Sequence, residues 1–288
     1  MLVGRFASSR SHLEEAVTLY DPISHRSLAH QVGLDPHVNS QSLLGIVLFC
    51  LGFPDQALAP SNAAVAEARK LAHPPSLASS LALGARVLSF HGDSAVLGGW
   101  VDQLVAMTAE QGFPQYGAVG TIYRGWVTVK NGDVAGGISI LRSGSTAFRA
   151  TGAELWMPLI DALLAGACEI AGQIDEALTL LDDALQIVER TGERWLAAEL
   201  YRHKGELLLR QRQADAAEDL YCKALSIARE QEAKLWELRA AASLARLWGD
   251  EGRRAEARDL LSPVYGWFTE GFDMPDLKEA KALLDTLL

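Results

Sequence analysis

Cysteine is scarce: Cys50, Cys168 and Cys222 are the three in 288 residues, far apart and each in an apolar helical stretch. That spacing offers neither a disulfide framework nor a CxxC metal site, and reads as free buried thiols of a reducing compartment. Runs of Val, Ile and Thr alternating with polar residues are hard to find, which argues against sheet. No run of about 18 apolar residues could span a bilayer, and the opening MLVGRFASSR has no apolar core of a secretory signal. A cytoplasmic protein that neither crosses nor anchors in a membrane is expected.

Positive charge is also short. Formal net charge is −10, and its distribution is uneven: residues 1–150 hold 10 basic and 10 acidic side chains, residues 151–288 hold 16 and 26. The excess negative charge is all C-terminal, with no Lys/Arg cluster to offset it, so nucleic acid is not an expected partner.

The sequence signatures of common chemistry are missing as well. There is no GxxxxGK[ST], GxSxG or HExxH, so phosphate-loop, hydrolase-elbow and zinc-protease readings have no foothold. The closest glycine-serine stretch, LRSGSTAFR at 141–149, lacks a lysine and falls inside a helix, where close packing explains it. His25, His30 and His37 cluster near the N-terminus without a Cys or suitably spaced carboxylate, which favours loop anchoring over metal. No catalytic residue, cofactor or metal site is assigned.

What the chain does have is 49% hydrophobic residues dominated by Ala and Leu, the strongest helix formers, and a period. Gly52, Gly92, Gly132, Gly172 and Gly252 are separated by multiples of 40, with Arg212 in the remaining place. Each opens a turn with GFPDQAL, GDSAVLG, GDVAGGI, GQIDEAL, RQADAAE or GRRAEAR; glycine ends one helix and a following Asp is expected to cap the next. Seven places before each turn a small residue recurs, at Gly45, Ala85, Gly125, Ala165, Gly205 and Ala245, and further series follow at Ala57, Leu97, Gly137, Ala177, Ala217, Ala257 and at Ala64, Leu104, Gly144, Ala184, Ala224, Val264. Antiparallel helices approach closely where small side chains face each other. One helix pair cannot bury its apolar faces, but stacked pairs can.

The expected fold is therefore all-α, an α-solenoid of six 40-residue helix pairs over residues 39–270 with turns near 52, 92, 132, 172, 212 and 252. Residues 1–38 read as a half-repeat helix (8–20) and an irregular link with a short helix around His25 to Gln31, as though cut from a longer chain. Residues 271–288 read as an amphipathic capping helix. Pro36, Pro54, Pro75, Pro114, Pro158 and Pro275 fall at expected helix starts, where proline is tolerated; Pro60 and Pro263 fall inside helices and predict a kink or an early end. Trp156, Trp195 and Trp236, spaced 39 and 41, predict packing between repeats.

The pattern resembles the tetratricopeptide repeat. The best unit carries Tyr201, Gly205, Leu208, Ala217, Tyr221 and Ala224 at consensus spacing; another carries Leu244, Ala245, Trp248, Ala257 and Leu261, and the first Leu44, Gly45, Leu48, Ala57 and Ala64. The departure is a repeat about six residues longer than the usual 34. That resemblance implies a right-handed superhelix whose first helices line a concave face. Carried over by register, the groove positions are Ser79, Arg86, Ile122, Trp126, Arg202, Glu206, Arg239 and Arg246, and arginines there suit carboxylates of a protein or peptide partner.

Several stretches look similar to the C-terminal region of bacterial proteins that join an adenylate or guanylate cyclase domain and a STAND-type signalling ATPase to such repeats. They are HRSLAH with GLDP, GFPDQAL, RATGAELW, TGERWLAAELYRHKGELLL, KLWELRAAASLARLW and RAEARDLLSPVYGWFTEGFD. The resemblance implies a sensory or regulatory arm; neither the cyclase nor the ATPase domain is in the sequence, so neither activity attaches to it. The alternatives are a self-associating module, in which the N-terminal edge forms a homodimer, and an enzyme with an unrecognised site.

Overall fold

The computed structural model describes residues 1–25, 27–92 and 94–287. Asp93, the expected cap in the second turn, lies outside the described residues, as do Arg26 of the link and Leu288 of the last segment. Among the described residues there are fifteen α-helices and no strand. In chain order they are α1 (Phe6–Leu19), α2 (Leu28–Val32), α3 (Pro36–Cys50), α4 (Pro54–Leu71), α5 (Pro74–His91), α6 (Ser94–Gln111), α7 (Pro114–Lys130), α8 (Val134–Ala150), α9 (Met157–Ile170), α10 (Ile174–Thr191), α11 (Ala197–Arg210), α12 (Ala214–Glu230), α13 (Lys234–Asp250), α14 (Arg254–Tyr265) and α15 (Pro275–Thr286).

The helices lie in two compact units. The N-terminal unit is Ala7–Phe49 with Pro54–Leu155; the C-terminal unit is Trp156–Leu288 together with Met1–Phe6 and Cys50–Phe53. Within each, successive helices pack on one another, and first helices also pack on first helices, α5 on α7 and α11 on α13.

Backbone conformation explains the period. Gly52, Gly92, Gly132, Gly172, Arg212 and Gly252 all have positive φ, from +62° at Arg212 to +101° at Gly132. A second series, offset by twenty, behaves the same way between pairs: Ala72, Gly112, Gly152, Gly192 and Glu232, with φ from +49° to +77°. A left-handed residue ends a right-handed helix at once, so each helix is cut to about the same length. Prolines reinforce the starts, with Pro74, Pro114, Pro158 and Pro275 in the first two helical positions. Asp133 caps α8, accepting from Gly136 N at 2.9 Å, whereas Asp55 and Asp175 sit inside the first turn, where a negative charge meets the helix dipole. Of the two interior prolines, Pro263 is followed by the end of α14 at Tyr265, while α4 runs past Pro60 to Leu71.

The small residues are where backbones meet. In the N-terminal unit an ideal Cβ on Gly125 would lie 2.7 Å from Leu141 N, one on Gly137 2.7 Å from Val129 N, and one on Gly144 2.9 Å from Ile122 N, so α7 and α8 pack nearly backbone to backbone and LRSGSTAFR is a packing segment. In the C-terminal unit Gly205 accepts the ring of Tyr221. The tryptophans fill that unit's core: Trp195 and Trp236 are fully buried, Trp156 meets Trp195 edge-on at 5.4 Å, and Trp236 Nε1 donates to Trp195 O at 3.2 Å. Glu193, also buried, accepts from Trp156 N and from Trp195 Nε1 at 3.0 Å. The last helix, α15, packs on α13 and α14. The histidines anchor the link: His37 stacks on Tyr20 at 4.6 Å, Tyr20 Oη donates to Asp35 at 3.0 Å, and His30 meets His73 edge-on.

Two expectations are corrected. Cys50 and Cys168 are buried, but Cys222 is exposed, because Tyr221 takes the inward position of α12 and its neighbour turns away by about 100°. The short helix of the link is Leu28–Val32, starting later than His25; His25 instead accepts from Asp21 N at 3.0 Å.

Two substitutions test this account. Arg212→Gly relieves a left-handed non-glycine residue and should stabilise the C-terminal unit by about 1 kcal/mol, raising Tm by about 2–4 °C. Gly137→Ala drives a methyl into the Val129 backbone and should cost about 2–3 kcal/mol in urea unfolding.

Candidate functional site

Four of the eight groove residues come together in the C-terminal unit. Arg202 and Glu206 on α11 and Arg239 and Arg246 on α13 line one cavity of about 230 Å³, together with Asp276 of α15. A second cavity of about 360 Å³ shares Glu206, Ser243 and Arg246 with it and extends to Arg210 and Tyr221. Positions 202, 206, 239 and 246 share this face because residues three and four apart on a helix stack along one side, and because the 40-residue register sets α13 beside α11 in phase.

The other four lie in the N-terminal unit and differ in exposure. Ser79, Arg86 and Ile122 are buried at 5%, 4% and 1% of full exposure, which withdraws them from any groove surface. Packing of α5 on α7 accounts for it: the Arg86 guanidinium turns back onto Ala82 O of its own helix, beside Tyr123, whose hydroxyl is pushed up to about 12 by burial. Trp126 is half-buried, with the Lys130 ammonium 5.5 Å from its ring centre.

The C-terminal groove is laced with ion pairs. Arg202 grips Glu199 through two bonds of 2.7 Å, pairs with Glu206, and donates to Ser243 Oγ at 3.3 Å. Arg239 grips Asp276 at 2.6 and 3.0 Å, reaches Glu199 at 3.1 Å, and lies over the Trp236 ring. Ser243 Oγ donates to Glu206 at 3.1 Å. On the flank, His203 and Arg210 each meet Glu169 at 2.8 Å. Arg246 differs: its carboxylate, Glu279, is 3.8 Å away, and both side chains are about half exposed or more.

The carboxylates that groove arginines would take from a partner are thus supplied to Arg202 and Arg239 by the chain itself. Glu199, Ser243 and Asp276 were not among the sequence candidates. Glu199 stands 40 residues before Arg239, and Asp276 stands 37 after it, so the repeat period held a signal for the first pair. Asp276 sits beyond the repeats and no register points to it. The two cavities together are lined by four cationic side chains, Arg202, Arg210, Arg239 and Arg246, against four anionic ones, Glu169, Glu206, Asp276 and Glu279. Their formal charges sum to zero, so the cleft carries both signs at fixed positions and offers little net attraction.

Residues 157–230 match the tetratricopeptide repeat family model. They span α9 to α12, two helix pairs that contribute Arg202 and Glu206. A tetratricopeptide fold is typical of protein–protein interaction scaffolds. Over 248 residues, 85% of the chain, it is 25% identical to an uncharacterized protein of Rhizobium meliloti and spans about a quarter (24%) of that protein's length. Among solved structures it is similar to the apo form of RapI, at 10% identity over 97% of this chain and 91% of that one with a TM-score of 0.58. Yeast Tom70 is similar at 15% identity over 96% of this chain and 53% of that one, with a TM-score of 0.54. These likenesses establish the all-helical, solenoid-type fold. Among the described residues no helix is long and apolar enough to cross a membrane.

Glu199 gives the groove a pH signature. Burial alone would raise its carboxyl, but Arg202 and Arg239 outweigh that and hold it at about 2 against 4.5 for a free glutamate. A depressed folded value contributes stability fully above about pH 4.5 and loses it as pH falls toward 2. Glu199→Gln should therefore cost about 3 kcal/mol at pH 7, leaving two buried arginines short of a partner, and the variant's stability should fall less steeply than that of the parent between pH 5 and pH 2 in urea titrations.

Proposed function

We propose that this chain is a non-catalytic binding scaffold, the sensory or regulatory arm of a bacterial signalling system, which takes a protein or peptide along the α11–α13 groove. The observation that carries the reading is the convergence of Arg202, Glu206, Arg239 and Arg246 from successive repeats on one open cleft. A cleft lined by both signs suits a partner segment that carries both, each charge placed against its opposite. The inner network of Arg202, Glu199, Arg239 and Asp276 sets the shape, and the Arg246–Glu279 end exchanges its loose pair for groups of the partner. The resemblance of several sequence stretches to cyclase–ATPase fusions supports a signalling context, in which binding here is passed to an attached or separate effector.

The test uses Arg246→Glu, which reverses charge at the open end and leaves the inner pairs intact. Immobilised parent chain should retain a discrete partner from a lysate of the source cell, and Arg246→Glu should retain at least tenfold less at equal folded protein. Equal retention by both, or none by the parent, overturns the assignment of this groove.

A second reading, self-association through the N-terminal edge, draws on exposed apolar side chains there: Leu19, Ile23 and Val32 are 67%, 92% and 66% exposed. It predicts a dimer by light scattering that Ile23→Asp converts to monomer; a monomeric parent chain removes it.

A further inference from the structure

The first six residues belong to the C-terminal unit, and the way they are held resembles a bound peptide. Leu2 O accepts from Trp195 N at 3.0 Å. Gly4 has φ +84° and lies flat on the Gln231 side chain, so close that a Cβ would come within 3 Å of three of its atoms. Phe6 is fully buried, whereas no other residue of α1 is. The receiving strip is made by the loops between α10 and α11 and between α12 and α13. Trp195 gives a backbone donor, and Gln231 is fixed by donating Nε2 to Arg194 O at 2.9 Å. The segment is a turn, closed by Gly4 N donating to Met1 O at 2.8 Å, and it leads directly into α1 at Phe6.

Gln231 Oε1 is buried at this strip and accepts no hydrogen bond. Core polar atoms are almost always satisfied, so the segment fills the strip's shape and leaves one of its polar groups unused. An occupant with a donor at that point would fit better than the chain's own residues do.

We infer that Met1–Phe6 is an intramolecular ligand covering a second peptide-docking strip at Arg194–Trp195 and Gln231. The strip takes a partner's turn-forming segment with an aliphatic residue, a left-handed glycine two places on and an aromatic two places after that, and the partner gains it by displacing the chain's own segment. This stands apart from the α11–α13 groove, since none of the three strip residues lines it.

Full-length Gly4→Val unseats the segment through the Gln231 clash and through its left-handed backbone. The probe is a labelled peptide of residues 1–8, MLVGRFAS, titrated by fluorescence anisotropy. It should bind Gly4→Val at least tenfold more tightly than the parent chain, and the peptide MLVVRFAS should not bind the variant. In parallel, trypsin should cut after Arg5 at least tenfold faster in the variant, with other sites unchanged. Full-length Phe6→Ala, which loses only the anchor, repeats both measurements if Gly4→Val shows altered helix content by circular dichroism. Equal affinity of MLVGRFAS for variant and parent, equal binding of the two peptides, or unchanged cleavage after Arg5 overturns the proposal.

Discussion

A right-handed helix stops where one residue takes positive φ, and in this chain that happens about every twenty residues from Gly52 to Gly252. Everything else depends on that interval. It fixes helices of similar length, so that partners lie side by side over their full extent, and it keeps the same face of each first helix in the same direction one repeat later. The requirement is for a conformation and not for a residue type, as Arg212, Glu232 and Ala72 adopt it without being glycine. Strain at those three places is held by the packing on either side.

Given equal helices, the distance between them is set by what stands at the contact. The N-terminal unit spends glycine on both sides of the α7–α8 contact, at Gly125, Gly137 and Gly144, and brings backbones together. At the corresponding contact of α11 and α12, Gly205 faces Tyr221 across Ala217. The aromatic ring there fills volume that the α7–α8 pair does not have. The same register therefore supports a thin, glycine-based contact and a thicker, aromatic one, which is why the small residue at 45, 85, 125, 165, 205 and 245 is the most regular feature of the sequence.

The regular features were legible because each is local or periodic. The turns at 52 to 252, the tryptophan packing and the helix-start prolines follow from spacing and from what one residue can do to its own backbone. The offset turns were half visible, as Gly112, Gly152 and Gly192 repeat at 40, but Ala72 and Glu232 hid the series. Burial was less legible. The register gave Arg202, Glu206, Arg239 and Arg246, which line one cavity, the same status as the buried Ser79, Arg86 and Ile122, because a helix position does not reveal how tightly its neighbour packs. Contacts from outside the period were invisible: nothing in the pattern announces that Asp276 reaches Arg239, or that Leu2 meets Trp195 and Gly4 meets Gln231.

Those non-periodic contacts are the ones that give the C-terminal unit an individual surface. A bare repeat would present Arg239 to solvent; Asp276 from α15 takes two of its hydrogen bonds and turns a cationic stripe into a balanced cleft. Charge balance lowers non-specific attraction for acidic chains, a useful property in a surface where arginines recur. Under the proposed binding role, affinity in the groove comes from exchange of ion pairs, one partner group for one internal group, and such exchange is cheapest where the internal pair is already long and wet. Arg246 and Glu279, 3.8 Å apart at the open end, meet that condition, while the bidentate pairs of Arg202 and Arg239 do not. The physical division is between an inner lattice that holds helices α11, α13 and α15 in place and an outer pair that is free to trade.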